Sequence, residues 1–162
     1  MAYDAFLQLE GIVGESQKEN HEGEIDLMSF SWGASNSSSV GTGTGVSTGK
    51  VSVSDFSVMK STDKSSPVIF QKCCDGSVIP QALVTLQRQV QGEATPYLVY
   101  TFTNVFVTSV QWSGSGGAGD TPMESVAFCF EVGQVDYSPQ KDDGSEAPAI
   151  HGGWDVGQNV KA

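Results

Sequence analysis

Two histidines, three cysteines and one pair of adjacent carboxylates are the side chains here whose chemistry could exceed packing. His21 and His151 lie far apart in polar stretches. They could meet in space beside an Asp, Glu or Cys as a metal site or an acid–base pair, yet solvated loop histidines are the commoner arrangement. Asp142 and Asp143 precede Gly144 and hint at calcium, but the regular oxygen-ligand spacing of a calcium loop is missing, so a solvated turn fits better. Lys72 precedes Cys73, and a cation beside a thiol favours reactivity. No histidine stands near it in sequence, however, and this thiol is expected to face a sheet. The GTGTG run at 41–45 lacks both the Lys-Ser/Thr ending and the strand–helix setting of a phosphate-binding loop. There is no GxSxG elbow or dinucleotide loop. The expectation is therefore no catalytic residue, no metal site and no cofactor.

Composition narrows the partners. The 162 residues carry 8 basic and 19 acidic side chains, a net charge of −11 and a pI near 4.3. Nucleic acid and anionic membranes are bound chiefly through cations, so neither is an expected partner. Cys73, Cys74 and Cys129 form an odd set without CxxC spacing, which suggests buried or half-buried free thiols and folding in a reducing compartment. No basic-then-apolar leader opens the sequence, and no apolar run reaches membrane-spanning length. Export, if it occurs, is expected to involve a folded chain without a cleaved signal.

The elements read as strands. Residues 97–112, YLVYTFTNVFVTSVQW, are rich in β-branched and aromatic residues, with no Gly or Pro. Such side chains pack well on a pleated surface. Leu98, Tyr100, Phe102, Phe106, Val110 and Trp112 share one parity, and Val99, Val105 and Val107 the other. A strand apolar on both faces should be central, or should bury one face against a partner. Asn104 interrupts the run, so either a bulge or bend near it or two strands joined at Thr103-Asn104 is expected. Further strands are expected at 3–13 with a bulge or turn near Gly11, at 25–32 with Met28, Phe30 and Trp32 on one face, and at 51–58 with a parity change after Val53. Others fall at 82–90, at 124–132 with Val126, Phe128, Phe130 and Val132 inward, and at 154–156. Residues 60–64 read as a polar turn. One short helix follows, capped by Ser66, opened by Pro67 and stopped by Gly76. Its Ile69, Phe70, Cys73 and Cys74 are expected on one side. The fold class is mainly β: a compact antiparallel β-barrel or two-sheet sandwich with one flanking α-helix.

Residues 33–49, GASNSSSVGTGTGVSTG, keep no periodicity and offer few side chains for packing. A loop this long without structure is usually functional or disordered. One reading is a disordered tip; the other is an arm that adds a strand or docks on a partner. Val40 and Val46 are its only branched apolar residues and, with Lys50, are the candidate inter-subunit contacts. Lys50, Lys60, Lys64, Lys72, Arg88 and Lys161 are the cations available to offset repulsion between copies of so acidic a chain.

Several stretches together resemble the Hcp (haemolysin-coregulated protein) family of bacterial type VI secretion systems. They are GES at 14–16, His21 followed by EID at 24–26, SWG at 31–33, DKSSP at 63–67, PQA at 80–82, DYSPQKDDG at 136–144 and GWDVGQNVKA at 153–162. The similarity runs nearly end to end. It implies a compact β-barrel with a flanking helix, six copies in a ring, and rings stacked as a hollow tube fired through a contractile sheath. Sheath, spike and small effector proteins are the implied partners. The implied route is bacterial cytoplasm first, then release outside the cell or into a target cell. Some family members continue into a C-terminal toxin domain; here residues 1–162 are expected to be one tube-forming domain without such an extension. A structural, non-enzymatic tube subunit is the leading expectation, and a ring acting mainly as an effector carrier is the alternative.

Overall fold

In the computed structural model, residues 3–40, 46–47, 49–117 and 119–162 are described, with residues 39, 40, 46 and 47 represented by backbone alone. The strands are, in chain order, β1 (Asp4–Leu9), β2 (Ile25–Leu27), β3 (Ser29–Ser31), β4 (Ala34–Asn36), β5 (Ser39–Val40), β6 (Val46–Ser47), β7 (Val51–Val53) and β8 (Phe56–Ser61). Helix α1 (Ser66–Asp75) follows, then β9 (Ile79–Val90), β10 (Glu93–Ser113), β11 (Met123–Tyr137), β12 (Ile150–Asp155) and β13 (Val160–Lys161). The fold is a mainly β sandwich with one short helix.

β10 is the organising strand, 21 residues long, with antiparallel β9 on one side and β11 on the other. It joins β9 through Gln91 and Gly92, both at positive φ (52° and 84°), the two-residue turn that matches the twist of paired strands. The far edge of β11 is shared, by β8 along Met123–Phe128 and by β12 along Val132–Tyr137. β1 pairs with β9 and with β2, while β3 pairs with β8. The stretch expected as one strand at 25–32 is thus two, and the break falls at Met28. Its side chain is 63% exposed rather than aligned with Phe30 and Trp32. The amide of Met28 donates to Met59 O (2.8 Å), so the break moves the chain from one neighbour to the next.

Asn104 does interrupt β10, but not as a register shift. It takes φ 52°, and the ladder to β11 keeps its register from Leu98 to Val107. The shifts lie elsewhere, between Pro96 and Leu98 against β9 and between Val107 and Ser109 against β11. The left-handed residue instead exchanges the faces. Phe102 is buried before it, and Val105 and Val107 are buried after it. Phe106, assigned by parity to the Phe102 face, is therefore exposed. Asn tolerates this conformation better than most residues, and here its amide donates to Glu131 Oε2 (2.6 Å).

Around Phe102 the core is aromatic. Trp32 packs edge-on to Phe102 at 5.3 Å between centroids, and Phe56 and Phe130 lie at 5.1 and 4.5 Å from the same ring. Leu7, Ile25, Val58, Ile79, Val84 and Val126 complete it, all nearly inaccessible.

The segment expected as a polar turn holds the main polar feature of this core. Lys60 sits in β8 directly opposite Glu124 of β11, and both side chains are fully buried and ion-paired. Lys60 Nζ also reaches Asp63 Oδ1 (3.1 Å) and Ser66 Oγ (3.0 Å), and donates to Ser61 O (3.1 Å). Ser66 donates to Glu124 Oε2 (2.8 Å), and Trp112 Nε1 donates to Glu124 Oε1. Ser66 therefore does not cap the helix. Ser65 occupies the cap position without a side-chain capping bond, while Pro67 opens the first turn and left-handed Gly76 (φ 69°) ends it, its amide donating to Lys72 O. Ile69 is buried and Cys73 half-buried against the core, whereas Phe70 and Cys74 face solvent instead of sharing that side.

Candidate functional site

The Gly/Ser arm is not structureless where it is described. β4 pairs with β7 as Ala34↔Val53, Ser35↔Ser52 and Asn36↔Val51, and β5 pairs with β6 as Ser39↔Ser47 and Val40↔Val46. It is an antiparallel ribbon, and its polar composition follows from exposure at Ala34, Ser35 and Asn36. Ser54 ties the ribbon at its root. Its hydroxyl accepts from Gly33 N (3.0 Å) and lies 2.9 Å from Gly33 O, its amide donates to Gly33 O (2.9 Å), and its carbonyl accepts from Trp32 Nε1 (3.1 Å). The sequence expectation of contacts at Val40 and Val46 concerns side chains outside the described residues; their backbones face each other across the ribbon. The GTGTG run at 41–45 likewise lies outside the described residues.

Lys50 is exposed at the root of the ribbon and lines a groove of about 600 Å³ between the arm and the C-terminal strands. Trp32, Val53, Phe130 and Trp154 supply much of its apolar lining, and Gly152 contributes no side chain. The groove was not foreseen from sequence, because its two sides come from residues 32–53 and 130–159. A second apolar surface lies beside the helix. Phe70 and Trp112, 49% and 44% exposed, pack with ring centroids 5.5 Å apart, and Val68 is exposed nearby in the same helix. Ile150, at 66%, stands out on β12.

Comparison with known proteins places this architecture. The family described as "Type VI secretion system effector, Hcp" matches residues 6–137. Protein hcp1 of Pseudomonas aeruginosa is 40% identical over 163 residues, spanning all of both chains. The chain belongs to the Hcp family. Among solved structures, one titled "Structure of a type six secretion system protein" superposes with a TM-score of 0.92 at 31% identity, covering 99% of this chain and all of the other. Hcp1 from Salmonella typhimurium superposes at 0.80 with 33% identity, each chain covered completely.

The motifs behind the family resemblance have visible structural work. In DKSSP, Asp63 accepts from Ser65 N (3.0 Å) and faces Lys60, and Ser66 reaches Glu124. In GES, a Cβ on Gly14 would fall against the carbonyl group of Glu24, 2.7 Å from its carbon, so the chain there requires Gly. GWDVGQNVKA forms the β12–β13 hairpin, with Asn159 at φ 58°.

The residues singled out for chemistry do not converge. His21 is not a solvated loop histidine. It is 8% exposed, stacked on Phe6 at 4.3 Å, with Nδ1 2.6 Å from Glu24 Oε2 and Nε2 3.0 Å from Gln87 Oε1. Those contacts fasten the loop before β2 over β1 and β9. His151 is exposed, with Nδ1 2.8 Å from Asp136 Oδ1 and Nε2 3.2 Å from Ala162 O. The Asp136 hydrogen bond, then that to Ala162, raises its pKa above the ordinary histidine value. Asp143 accepts from the amide and hydroxyl of Ser145 (2.9 and 2.6 Å), which lowers its pKa and makes the DDG stretch a self-satisfied turn. Burial foremost raises the Cys129 thiol pKa. Among the described residues no group of three or more His, Cys, Asp or Glu is placed to hold a metal ion, and no helix is long and apolar enough to cross a membrane.

Proposed function

We propose that the chain is the structural subunit of a type VI secretion inner tube, acting through assembly rather than catalysis. In this reading residues 1–162 form one tube-forming unit, six copies close a ring, and rings stack. The tube passes from the cytoplasm to the outside or into a target cell, with sheath, spike and effector proteins as partners. The observation that carries the reading is identity of 40% to an Hcp protein over the full length of both chains. The exposed Phe70 and Trp112, packed on each other beside Val68, support it, because a contiguous exposed apolar patch marks surfaces that meet a partner. A closed barrel belongs to the same reading. It is supported by the way residues 25–31 pair with β1 through β2 and with β8 through β3.

The arm is the proposed contact between rings, with Val40, Val46 and Lys50 as its contact residues. A ribbon rich in Gly and Ser gains little from any one contact, so six repeats around a ring are what make docking effective. Light scattering in moderate salt should give a hexamer mass, and electron microscopy should show tubes that the Val40→Asp/Val46→Asp double variant cannot grow. A persistent monomer at high concentration overturns the ring. Tubes formed equally by the double variant overturn the role of the arm.

A further inference from the structure

The groove at the root of the arm has a lining unlike the rest of the molecule. The chain carries 19 acidic residues, yet among the described residues the lining contains no carboxylate and one charged group, the Lys50 ammonium. Asn36 and Asn159 are its neutral polar side chains, and the other side chains are aromatic or aliphatic, notably Trp32, Val53, Phe130 and Trp154. Its volume of about 600 Å³ falls within the roughly 300–1,000 Å³ typical of sites for small ligands, which are mostly apolar with a few fixed polar groups. Trp154 adds a buried indole N–H that has no acceptor among the described residues.

We propose that this groove is a binding site for a small apolar anion, such as a medium-chain carboxylate, whose tail lies along the aromatic side chains and whose head pairs with Lys50. Charge complementarity selects the anion. A neutral tail would use the walls alone, and a cation would face Lys50 with no carboxylate in the lining to offset it. Burial of the tail supplies most of the affinity, at roughly 25 cal/mol per Å² of apolar surface. The ammonium supplies orientation and discrimination through a charge-assisted contact. The site belongs to the free subunit or single ring, before Lys50 meets another ring as proposed above, and its failure would leave the proposed tube function standing.

The test uses full-length protein and the apolar anion 8-anilinonaphthalene-1-sulfonate as fluorescent probe, with dodecanoate as competitor. Binding should saturate near one probe per chain, and dodecanoate should displace it. Lys50→Glu should weaken the anion about tenfold while leaving the neutral probe N-phenyl-1-naphthylamine almost unaffected. Gly152→Leu should block both probes. An added Cβ there meets nothing within 4 Å, so the variant is expected to fold, with circular dichroism as the check. Anion binding unchanged in both variants, or no displacement by dodecanoate, overturns the proposal. Probe binding that vanishes as the single ring forms and returns on dilution also overturns it, since a neighbouring copy within the ring would then own the groove.

Discussion

Separating Lys60 from Glu124 should be among the most damaging changes available outside the apolar core. Both side chains are fully buried and their Cα atoms are direct partners across β8 and β11. Removing one member of such a pair leaves a charge with no water to reach, which typically costs about 3–5 kcal/mol. Lys60→Met leaves Glu124 with the Ser66 hydroxyl and the Trp112 indole as donors. Glu124→Leu leaves Lys60 with Asp63 at 3.1 Å. Each remnant softens the loss, so about 3 kcal/mol is the expected figure for either single change. In a domain of this length, where about 1 kcal/mol moves Tm by about 2–4 °C, that is about 6–12 °C. The Lys60→Met/Glu124→Leu double variant should return to within about 1 kcal/mol of the parent, because two apolar side chains of similar size often replace a buried pair without loss. Urea unfolding of all four proteins at one fixed protein concentration closes the cycle, the concentration mattering because assembly adds apparent stability. Single variants costing under about 1 kcal/mol, or a double variant costing the sum of both, would refute the assignment of this pair as a coupled buried unit.

Two further outcomes follow from local geometry. The His151 pKa is raised in the folded chain, so its interactions with Asp136 and Ala162 stabilise fully below its unfolded value of about 6.5 and fade as pH rises through the folded value. NMR titration of the ring should show that raised midpoint, and Asp136→Asn should lower it; a midpoint unmoved by Asp136→Asn would contradict the contact. Gly14→Ala should destabilise by about 1–3 kcal/mol, an overpacking cost, because the new methyl meets backbone at Glu24 rather than a side chain able to swing aside. A thermal shift within error of the parent would show that the loop relaxes freely.

Strand positions were legible wherever side-chain chemistry alternated over several residues. Of the inward set, Val126, Phe128 and Phe130 are buried and Val132 is half-buried, the parity change after Val53 is the break between β7 and β8, and Gly76 ends α1. What failed was parity carried past a backbone event. Leu98 through Trp112 reads as a continuous two-faced strand, but left-handed Asn104 turns the later residues over, so Phe106 is outside and Val105 inside. The arm failed for the opposite reason. β4 to β7 are held by backbone pairing, with Ala34, Ser35, Asn36 and Ser52 exposed and only Val51 and Val53 half-buried, which leaves too short an apolar period to read.

For the buried pair, a signal was present in the sequence but outweighed by residue type. Lys60 continues the inward parity of Phe56 and Val58, and Glu124 that of Val126 and Phe128. Extending both patterns by one step places two opposite charges in the core, an arrangement that composition alone assigns to solvent. Its consequence reaches the surface. Lys60 cannot offset charge on another copy, and Arg88, lying 4.7 Å over the Tyr97 ring and 3.5 Å from Glu146, is largely committed within its own chain. Of the cations expected to relieve repulsion, Lys50, Lys64, Lys72 and Lys161 are left. In the proposed assembly, contact between copies that each carry a net charge of −11 would then lean on apolar surface and on backbone pairing, with Phe70, Trp112, Ile150 and the arm ribbon as the candidates. Raising salt screens the residual repulsion over about 8 Å at 0.15 M and weakens neither resource.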